Sequence, residues 1–207
     1  MTRLSKRLLT QIERGIAILK EGGVVAFPTD TVYGLGARAD NQWAVAKVYR
    51  VKQRPVNMAV PLLLAHAAQV NQVASEVPPV AWLLAEKFWP GALTLVLLKS
   101  SAVPDIVTAG GRTVAVRVPA HPVPVALIEG LGVPIVGTSA NVSGRPSPCT
   151  AGEVRAQLGD RVDLIIDGGR CPGGIESTVV DVTGEKPVIL REGAISRDRL
   201  RQVCEIG

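Results

Sequence analysis

Apolar residues recur along the chain at two spacings. In LSKRLLTQIERGIAILKEGG, leucine and isoleucine return every three or four residues with charged residues between them, which predicts an amphipathic helix that stops at Gly22 and Gly23. The same spacing predicts helices in NQWAVAKVYRVK, PPVAWLLAEKFW, HPVPVALIEGLG, GEVRAQLG and SRDRLRQVC. Asn41 and Ser196 are the expected N-caps of the first and the last of these helices.

Short apolar or alternating runs predict strands, which are VVAF, VPLLLA, ALTLVLL, TVAVRVP, VPIVG, DLIID, STVVDV and KPVILRE. In TVAVRVP the alternation directs the valines to one face of the sheet and Thr113, Ala115 and Arg117 to the other. Helix and strand patterns alternate without a low-complexity linker. We therefore expect an α/β fold with a twisted mixed sheet flanked by helices, built as a single domain over residues 1–207.

The composition of the 207-residue chain, 47% hydrophobic and 20% charged, is that of a soluble globular protein rather than a disordered one. Its net charge of +5 and pI near 9.4 favour anionic partners such as nucleotides, phosphates or RNA. A basic surface without any partner gives the same numbers. No apolar run approaches the ~18 residues of a membrane span, so we expect no membrane partner.

Cysteine and histidine usage limits the chemistry. Cys149, Cys171 and Cys204 form no CxxC pair, and their odd number argues against a disulfide framework and for a cytoplasmic location. His66 and His121 lack the spacing of zinc ligands. The chain contains neither a GxxxxGK[ST] loop nor a GxSxG elbow, so we expect a site that acts by positioning and by neutralising charge.

The first candidate segment is VVAFPTDTVYGLGARAD, in which an apolar strand is followed at once by Thr29, Asp30 and Thr31. One interpretation is an ordinary turn in which Asp30 closes an Asx-type hydrogen bond. The other is a polar cup in which the Thr31 hydroxyl binds a small ligand.

The second candidate segment is KVYRVKQRP. Pro55 disfavours a helical Arg54, so we expect an extended segment in which Lys52 and Arg54 project to one side. Two such cations suit a triphosphate or a carboxylate. A solvated basic helix end is the alternative.

Two further segments place polar side chains at strand ends. The first is VPIVGTSANVSGRPSP, whose hydroxyl and amide residues are Thr138, Ser139, Asn141, Ser143 and Ser147. In the second, Ser177 begins one strand pattern and Arg191 ends the next. Such groups can hold phosphate or ribose, or they can simply cap turns and strand edges.

Together, PTDTVYGLG, KQRP, KFWPGALTLVL, VAVRVPAHP, TSANVSG and STVVDVTG…ILREGAI resemble the YrdC/TsaC family of threonylcarbamoyl-AMP synthases. The resemblance runs from about residue 8 to residue 200, and its signature is a Lys-x-Arg at Lys52 and Arg54 followed by a Ser-x-Asn at Ser139 and Asn141. It implies a YrdC-like fold with a basic concave cavity. It also implies that L-threonine, bicarbonate and ATP give threonylcarbamoyl-adenylate with release of pyrophosphate. A separate transferase complex is then expected to move the threonylcarbamoyl group to tRNA.

The resemblance also implies roles for single residues. Thr31, Arg117 and Ser177 are expected to bind threonine, and Lys52 and Arg54 are expected to be catalytic by neutralising the phosphates. The residues expected to bind ATP are Arg54, Thr113, Ser139, Asn141, Ser147 and Arg191. Mg²⁺ is expected to arrive with ATP rather than in a metal site of the protein.

This chain departs from the family pattern at Met58 and Leu63, where polar residues are expected. His66 lies too far along the chain to be assigned the missing role. Because the chain ends at residue 207, we also expect it to lack the additional C-terminal domain of longer members.

Two alternatives stay open. One is a non-catalytic module that binds tRNA or double-stranded RNA, although aromatic residues for base stacking amount to only 3%. The other is a carbamoyl-handling module like that of hydrogenase-maturation carbamoyltransferases.

Overall fold

The computed structural model describes residues 4–207. In this range the α-helices are α1 Lys6–Lys20, α2 Gln42–Lys52, α3 Val70–Val73, α4 Pro79–Phe88, α5 Asp105–Thr108, α6 Pro122–Leu131, α7 Ala151–Leu158 and α8 Arg197–Arg201. The strands are β1 Val25–Phe27, β2 Gly34–Arg38, β3 Leu62–Leu63, β4 Leu93–Leu98, β5 Thr113–Arg117, β6 Ile135–Ser139, β7 Leu164–Ile165, β8 Thr178–Asp181 and β9 Val188–Arg191. Within these residues no helix has the length and apolar character that crossing a membrane requires.

All of these strands belong to one sheet in the order β7-β1-β2-β6-β3-β5-β4-β8-β9. The pairs β1–β7, β3–β5 and β4–β8 are parallel, and the remaining pairs are antiparallel. The sequence-based prediction of an α/β fold with a mixed sheet flanked by helices is therefore confirmed.

The predicted helix caps are present. The Asn41 side chain accepts hydrogen bonds from the backbone at the start of α2, and the Ser196 hydroxyl does the same for α8. Helix α1 ends just before Gly22, whose φ of 80° lies in the left-handed region that glycine adopts without strain.

The two faces of the sheet are covered differently. One face packs its alternate residues, such as Leu35, Val116 and Val136, into a large core with α2, α4, α5, α7 and α8. The other face forms a smaller core with α1 and α6 around Phe27 and Ile135. On this second face, the strands beyond that smaller core turn small or polar residues outward, and this part of the sheet becomes the floor of a cavity.

Strand β2 was not predicted, because GLGAR contains two glycines and reads as a loop. In the structure, these glycines make room for the ring of Phe27 on the neighbouring strand. A Cβ added to Gly34 would lie 2.8 Å from the Phe27 ring, and one added to Gly36 would lie 2.7 Å from the Val136 carbonyl oxygen and 2.9 Å from that ring. The glycines therefore serve close packing, and β2 joins β1 to β6.

Replacing Gly36 with alanine is expected to lower the free energy of unfolding by about 1–3 kcal/mol, because the new methyl group overlaps the Phe27 ring and backbone of β6. Gly152→Ala is the matched control. Gly152 lies within α7, and the nearest atom to a Cβ added there would be Thr150 Oγ1 at 3.9 Å. Urea denaturation should find this control more stable than the parent by about 0.5–1 kcal/mol. Equal stabilities for the two variants would contradict the packing argument.

Candidate ligand-binding cavity

The cavity has a volume of about 560 Å³, which is the size range of small-molecule and cofactor sites. Its floor is formed by residues that share one face of the sheet, among them Gly137 on β6, Ala115 and Arg117 on β5, Thr94 on β4 and Val179 on β8. Its walls come from the loops that follow β1, α2 and β6 and that precede β8. Segments distant in sequence thus meet around one space.

The loop after β1 is held by hydroxyl groups rather than by an Asx turn. Thr29 Oγ1 donates to the Val32 carbonyl oxygen (2.7 Å) and accepts from the Thr31 backbone N–H (3.0 Å). Because the Thr29 proton is used in this way, the 3.0 Å contact between the Thr29 and Thr31 hydroxyls requires Thr31 to donate. The Asx turn considered from the sequence is wrong, since Asp30 instead accepts from Arg117 and from the Ala120 N–H.

Arg117 is buried beneath this loop with three of its nitrogen atoms fixed. Nε donates to the Gly91 carbonyl (2.9 Å), Nη1 to Thr31 Oγ1 (3.0 Å) and Nη2 to Asp30 Oδ1 (2.7 Å). Burial lowers the pKa of this guanidinium, while the Asp30 carboxylate opposes that shift. Each terminal nitrogen keeps one further N–H, and two such donors suit a carboxylate.

Thr31 presents an acceptor to this part of the cavity. Its proton goes to Thr29, and one of its lone pairs accepts from Arg117. The remaining lone pair suits an ammonium or hydroxyl donor rather than an anion.

Ser177, which directly precedes β8, lines the cavity next to Thr94 on the neighbouring strand β4. Its Oγ is 2.8 Å from Thr94 Oγ1, and both hydroxyls are buried. The Arg191 guanidinium on β9 donates to the Ser177 carbonyl through Nε (3.2 Å) and Nη2 (2.8 Å).

Lys52 is the last residue of α2, so the predicted extended geometry for Lys52 and Arg54 is wrong. Gln53 ends the helix in the left-handed conformation with φ 52°, and this turn brings both cations to the cavity wall. The reversal after Lys52 thus comes from the Gln53 backbone, which pattern reading could not foresee.

The ammonium group of Lys52 is fully used within the protein. It donates to the Ser139 carbonyl, to the Asn141 carbonyl (2.9 Å) and to Asn141 Oδ1 (2.9 Å). Three acceptors match the three N–H bonds of a lysine, and the residue is only 1% exposed. Burial and then the charge of Arg54 lower the pKa of Lys52 to about 8, while Glu176 opposes this.

Arg54 retains free donors. Nε donates to the Met58 carbonyl (3.1 Å) and Nη2 to the Ala59 carbonyl (2.8 Å). Within the described part of the chain, Nη1 has no hydrogen-bond acceptor. Burial lowers the pKa of Arg54. Arg54 is therefore better placed than Lys52 to contact an anion directly.

The loop after β6 is organised by Asn141. Its Oδ1 accepts from Lys52 and from the Ser139 hydroxyl (2.6 Å), and its Nδ2 donates to the Arg145 carbonyl (2.5 Å). The Ser143 N–H donates to the Lys52 carbonyl (2.9 Å), which ties the loop to the end of α2. The Lys-x-Arg and Ser-x-Asn segments therefore form one hydrogen-bonded unit.

Glu176 was not predicted as a site residue, and it is the only carboxylate among those of residues 4–207 that line the cavity. It accepts from the Ser147 hydroxyl at Oε1 (2.7 Å) and pairs with Arg191 at Oε2. The cationic lining residues are Lys52, Arg54, Arg117, Arg145 and Arg191. A glutamate beside Ser177 in the sequence gave no signal by itself, since a lone carboxylate in a loop is common.

The structure places most of the predicted site residues at this cavity. Those that line it are Thr31, Lys52, Arg54, Arg117, Ser139, Asn141, Ser147, Ser177 and Arg191. Thr113 does not line it. Thr113 shares the face of Arg117 but lies at the start of β5, beyond Ala115, so the geometry does not support its expected contact with ATP.

Met58 and Leu63, where polar residues were expected, both line the cavity. The Met58 carbonyl accepts hydrogen bonds from Arg54 Nε and from the Tyr49 hydroxyl (3.0 Å). At this position a backbone group contributes the polar contact. Leu63 presents only its apolar side chain to the space.

The fold and the cavity define an α/β protein with a ligand-sized site on the open part of one sheet face. A family model that covers Sua5, YciO and YrdC and is described as telomere recombination matches residues 17–193. The chain is 44% identical over 193 residues to threonylcarbamoyl-AMP synthase of Pyrococcus abyssi, which covers 93% of this chain and 57% of that protein. It is 38% identical over 163 residues to threonylcarbamoyl-AMP synthase of Vibrio cholerae, covering 78% of this chain and 87% of that one.

Solved structures of Sua5 and YciO are similar to this chain over nearly its whole length. Sua5 of P. abyssi complexed with L-threonine superposes with a TM-score of 0.92 at 43% identity, covering 95% of this chain and 58% of that chain. Escherichia coli YciO gives a TM-score of 0.85 at 30% identity and covers 95% of both chains. The chain belongs to the Sua5/YciO/YrdC family. It spans a little over half the length of the P. abyssi protein.

Proposed function

We propose that the protein is a nucleotidyltransferase that makes L-threonylcarbamoyl-adenylate from L-threonine, bicarbonate and ATP, with release of pyrophosphate. The observation that supports this most directly is the meeting of Lys52, Arg54, Ser139 and Asn141 at one wall of a cavity whose floor carries Arg117. Relatives named threonylcarbamoyl-AMP synthase and the threonine complex of Sua5 support the same assignment.

Threonine is placed at the Arg117 end of the cavity. The two remaining N–H groups of Arg117 bind its carboxylate, and the free lone pair of Thr31 accepts from its ammonium or hydroxyl group. Ser177 supplies a further polar contact.

ATP phosphates are placed at the Arg54 end. Arg54 offers the uncommitted Nη1. Lys52 holds the loop after β6 in place and adds its positive charge to the same wall of the cavity. Ser139, Ser147 and Arg191 lie close enough to the same space to contact the nucleotide.

The reaction proceeds in two steps. The amino nitrogen of threonine forms a bond to the carbon of bicarbonate, and water leaves to give N-carboxythreonine. A carboxylate oxygen of this intermediate then attacks the α-phosphorus of ATP, and the bond to the bridging oxygen breaks so that pyrophosphate departs. Negative charge spreads over the phosphates in this second step, and fixed cations such as Arg54 stabilise it.

The lining residues do not suit a protein-held Mg²⁺. Among residues 4–207, Glu176 is the only lining carboxylate, and both of its oxygens already accept hydrogen bonds. We therefore place Mg²⁺ with the phosphates and water of ATP, outside the set of protein ligands. The product would pass to a transferase complex that modifies tRNA, in the cytoplasm.

A pyrophosphate-release assay tests the function. Release is expected with ATP, L-threonine and bicarbonate together and is expected to disappear when any one of them is omitted. Release driven by carbamoyl phosphate would favour the carbamoyl-handling alternative. Salt-dependent RNA binding without ATP turnover would favour the RNA-binding one.

Thr31→Val removes the acceptor next to Arg117 while keeping the side-chain shape. The KM for threonine is expected to rise about tenfold, as for the loss of one hydrogen bond to a charged group, while the KM for ATP stays near that of the parent. Thr10→Val on α1, outside the cavity, is the control. An unchanged threonine dependence would remove Thr31 from the amino-acid site.

A further inference from the structure

Glu176 holds two of the cavity's polar side chains at once. Oε1 accepts from the Ser147 hydroxyl at 2.7 Å, and Oε2 accepts from Arg191 Nη1. Its own backbone is fixed, because the Ala194 N–H donates to the Glu176 carbonyl at 2.9 Å. A Cβ added to Gly193 would lie 2.3 Å from that same carbonyl oxygen, so the two segments are in close contact.

This arrangement sets what Ser147 can do. A serine hydroxyl has a single proton, and here that proton points to Glu176. The lone pairs of Ser147 are then what remains for a ligand, so the residue accepts a hydrogen bond and cannot donate one to a phosphate oxygen. The hydrogen-bond donors of a nucleotide are its ribose hydroxyls and its base amino group.

We propose that Glu176 is a positioning residue for nucleotide binding, which turns Ser147 into an acceptor for the nucleoside and orients Arg191. The proposal rests on the proposed function, in which this cavity binds ATP. Glu176 is 36% exposed at its side chain and Arg191 is 47% exposed, so their ion pair stabilises the fold little. Five cationic side chains line the same cavity, so the Glu176 carboxylate partly cancels the positive charge that an anionic ligand meets there.

An argument from net charge alone predicts the opposite effect of Glu176 on ATP binding. Burial lowers the pKa of Lys52 and of Arg54, and the Glu176 carboxylate lies near enough to oppose both shifts, so its charge also weakens the positive field that attracts ATP. If charge alone mattered, neutralising Glu176 would tighten ATP binding. If positioning matters, neutralising it weakens binding, and the sign of the change separates the two.

Glu176→Gln is the informative variant, because the amide keeps the shape but offers one acceptor oxygen and a donor NH₂. It cannot accept from both Ser147 and Arg191, and its NH₂ would push the Ser147 proton toward the ligand. The Kd for ATP, measured by titration calorimetry, and the KM for ATP are expected to rise about tenfold or more, while the KM for threonine changes little. The melting temperature is expected to stay close to that of the parent.

Two further variants sharpen the test. Glu192→Gln removes the same charge from the next residue after Arg191, outside the cavity, and is expected to leave ATP binding unchanged. Ser147→Ala is expected to weaken ATP binding in the parent but to add little in the Glu176→Gln background, since the two residues act as a unit.

The outcomes separate the inference from the function. Unchanged or tighter ATP binding by Glu176→Gln would overturn the positioning role, and so would full additivity with Ser147→Ala. If the parent releases no pyrophosphate with threonine and bicarbonate, yet Glu176→Gln weakens ATP binding, the proposed function fails while the role of Glu176 stands.

Discussion

Arg54→Ala is expected to lower kcat/KM for ATP by about 10²–10³-fold, which is the typical loss when one fixed donor to a developing negative charge is removed. Arg54 lines the cavity and has one uncommitted nitrogen, and its two other nitrogens donate to the Met58 and Ala59 carbonyls of an exposed loop. Its removal leaves no buried group unpaired, so the free energy of unfolding is expected to change by less than about 1 kcal/mol. Steady-state pyrophosphate release and urea denaturation measure the two quantities.

Two companion variants define the role of Arg54. Arg50→Ala removes an exposed arginine from the last turn of the same helix and serves as the matched control. Arg54→Lys keeps the charge but lacks the planar fork, so it is expected to recover only part of the activity. A fully active Arg54→Ala variant would remove this residue from the catalytic site.

Lys52→Met is expected to abolish activity and also to lower the free energy of unfolding by about 1–3 kcal/mol. The variant removes the lysine donor from the Ser139 and Asn141 carbonyl oxygens and leaves Asn141 Oδ1 with the Ser139 hydroxyl alone, and the loss of hydrogen bonds to buried polar groups carries such a penalty. The contrast with Arg54→Ala is the informative result. If Lys52→Met denatured at the same urea concentration as the parent, the ammonium would not be holding the loop.

The Lys52 ammonium also predicts a pH dependence. Below its pKa of about 8 the group has three N–H donors, and above it one becomes a lone pair that faces a carbonyl oxygen. ATP binding is therefore expected to be complete near pH 7 and to weaken as the pH rises through about 8. Calorimetric titration with ATP avoids interference from the threonine amino group. If the affinity of Lys52→Met for ATP fell over the same pH range, the titrating group would be another residue.

Much of the fold follows from residue patterns, because helices and strands bury one face at their own spacing. The alternation in β5 placed Arg117 and Ala115 on the face that became the cavity floor, and the caps at Asn41 and Ser196 are present. Strand β2 was missed, since its glycines are required by the Phe27 ring on a neighbouring strand, and no local pattern reports that contact.

The sequence predicted most of the residues of the site but not the hydrogen bonds that join them. Resemblance and residue type pointed to Lys52, Arg54, Ser139 and Asn141, and these residues do come together at the cavity. The left-handed turn at Gln53 and the saturation of the Lys52 ammonium depend on backbone geometry that spacing alone does not encode. The Glu176 contacts with Ser147 and Arg191 join three separate segments, so they too appear only in three dimensions.

Gly137 on β6 and Leu63 on β3 are in close contact on the cavity floor, and this contact limits how deep the floor can be. A Cβ on Gly137 would lie 2.4 Å from the Leu63 Cγ, so the leucine already fills the room that the glycine leaves. Two residues on adjacent strands, Gly137 on β6 and Leu63 on β3, together set the depth of the floor. Enlarging either one alone would cause a clash with the other. If the cavity binds an amino acid as proposed, replacing Leu63 with a smaller residue while Gly137 is kept is one change that would deepen the floor for a bulkier one.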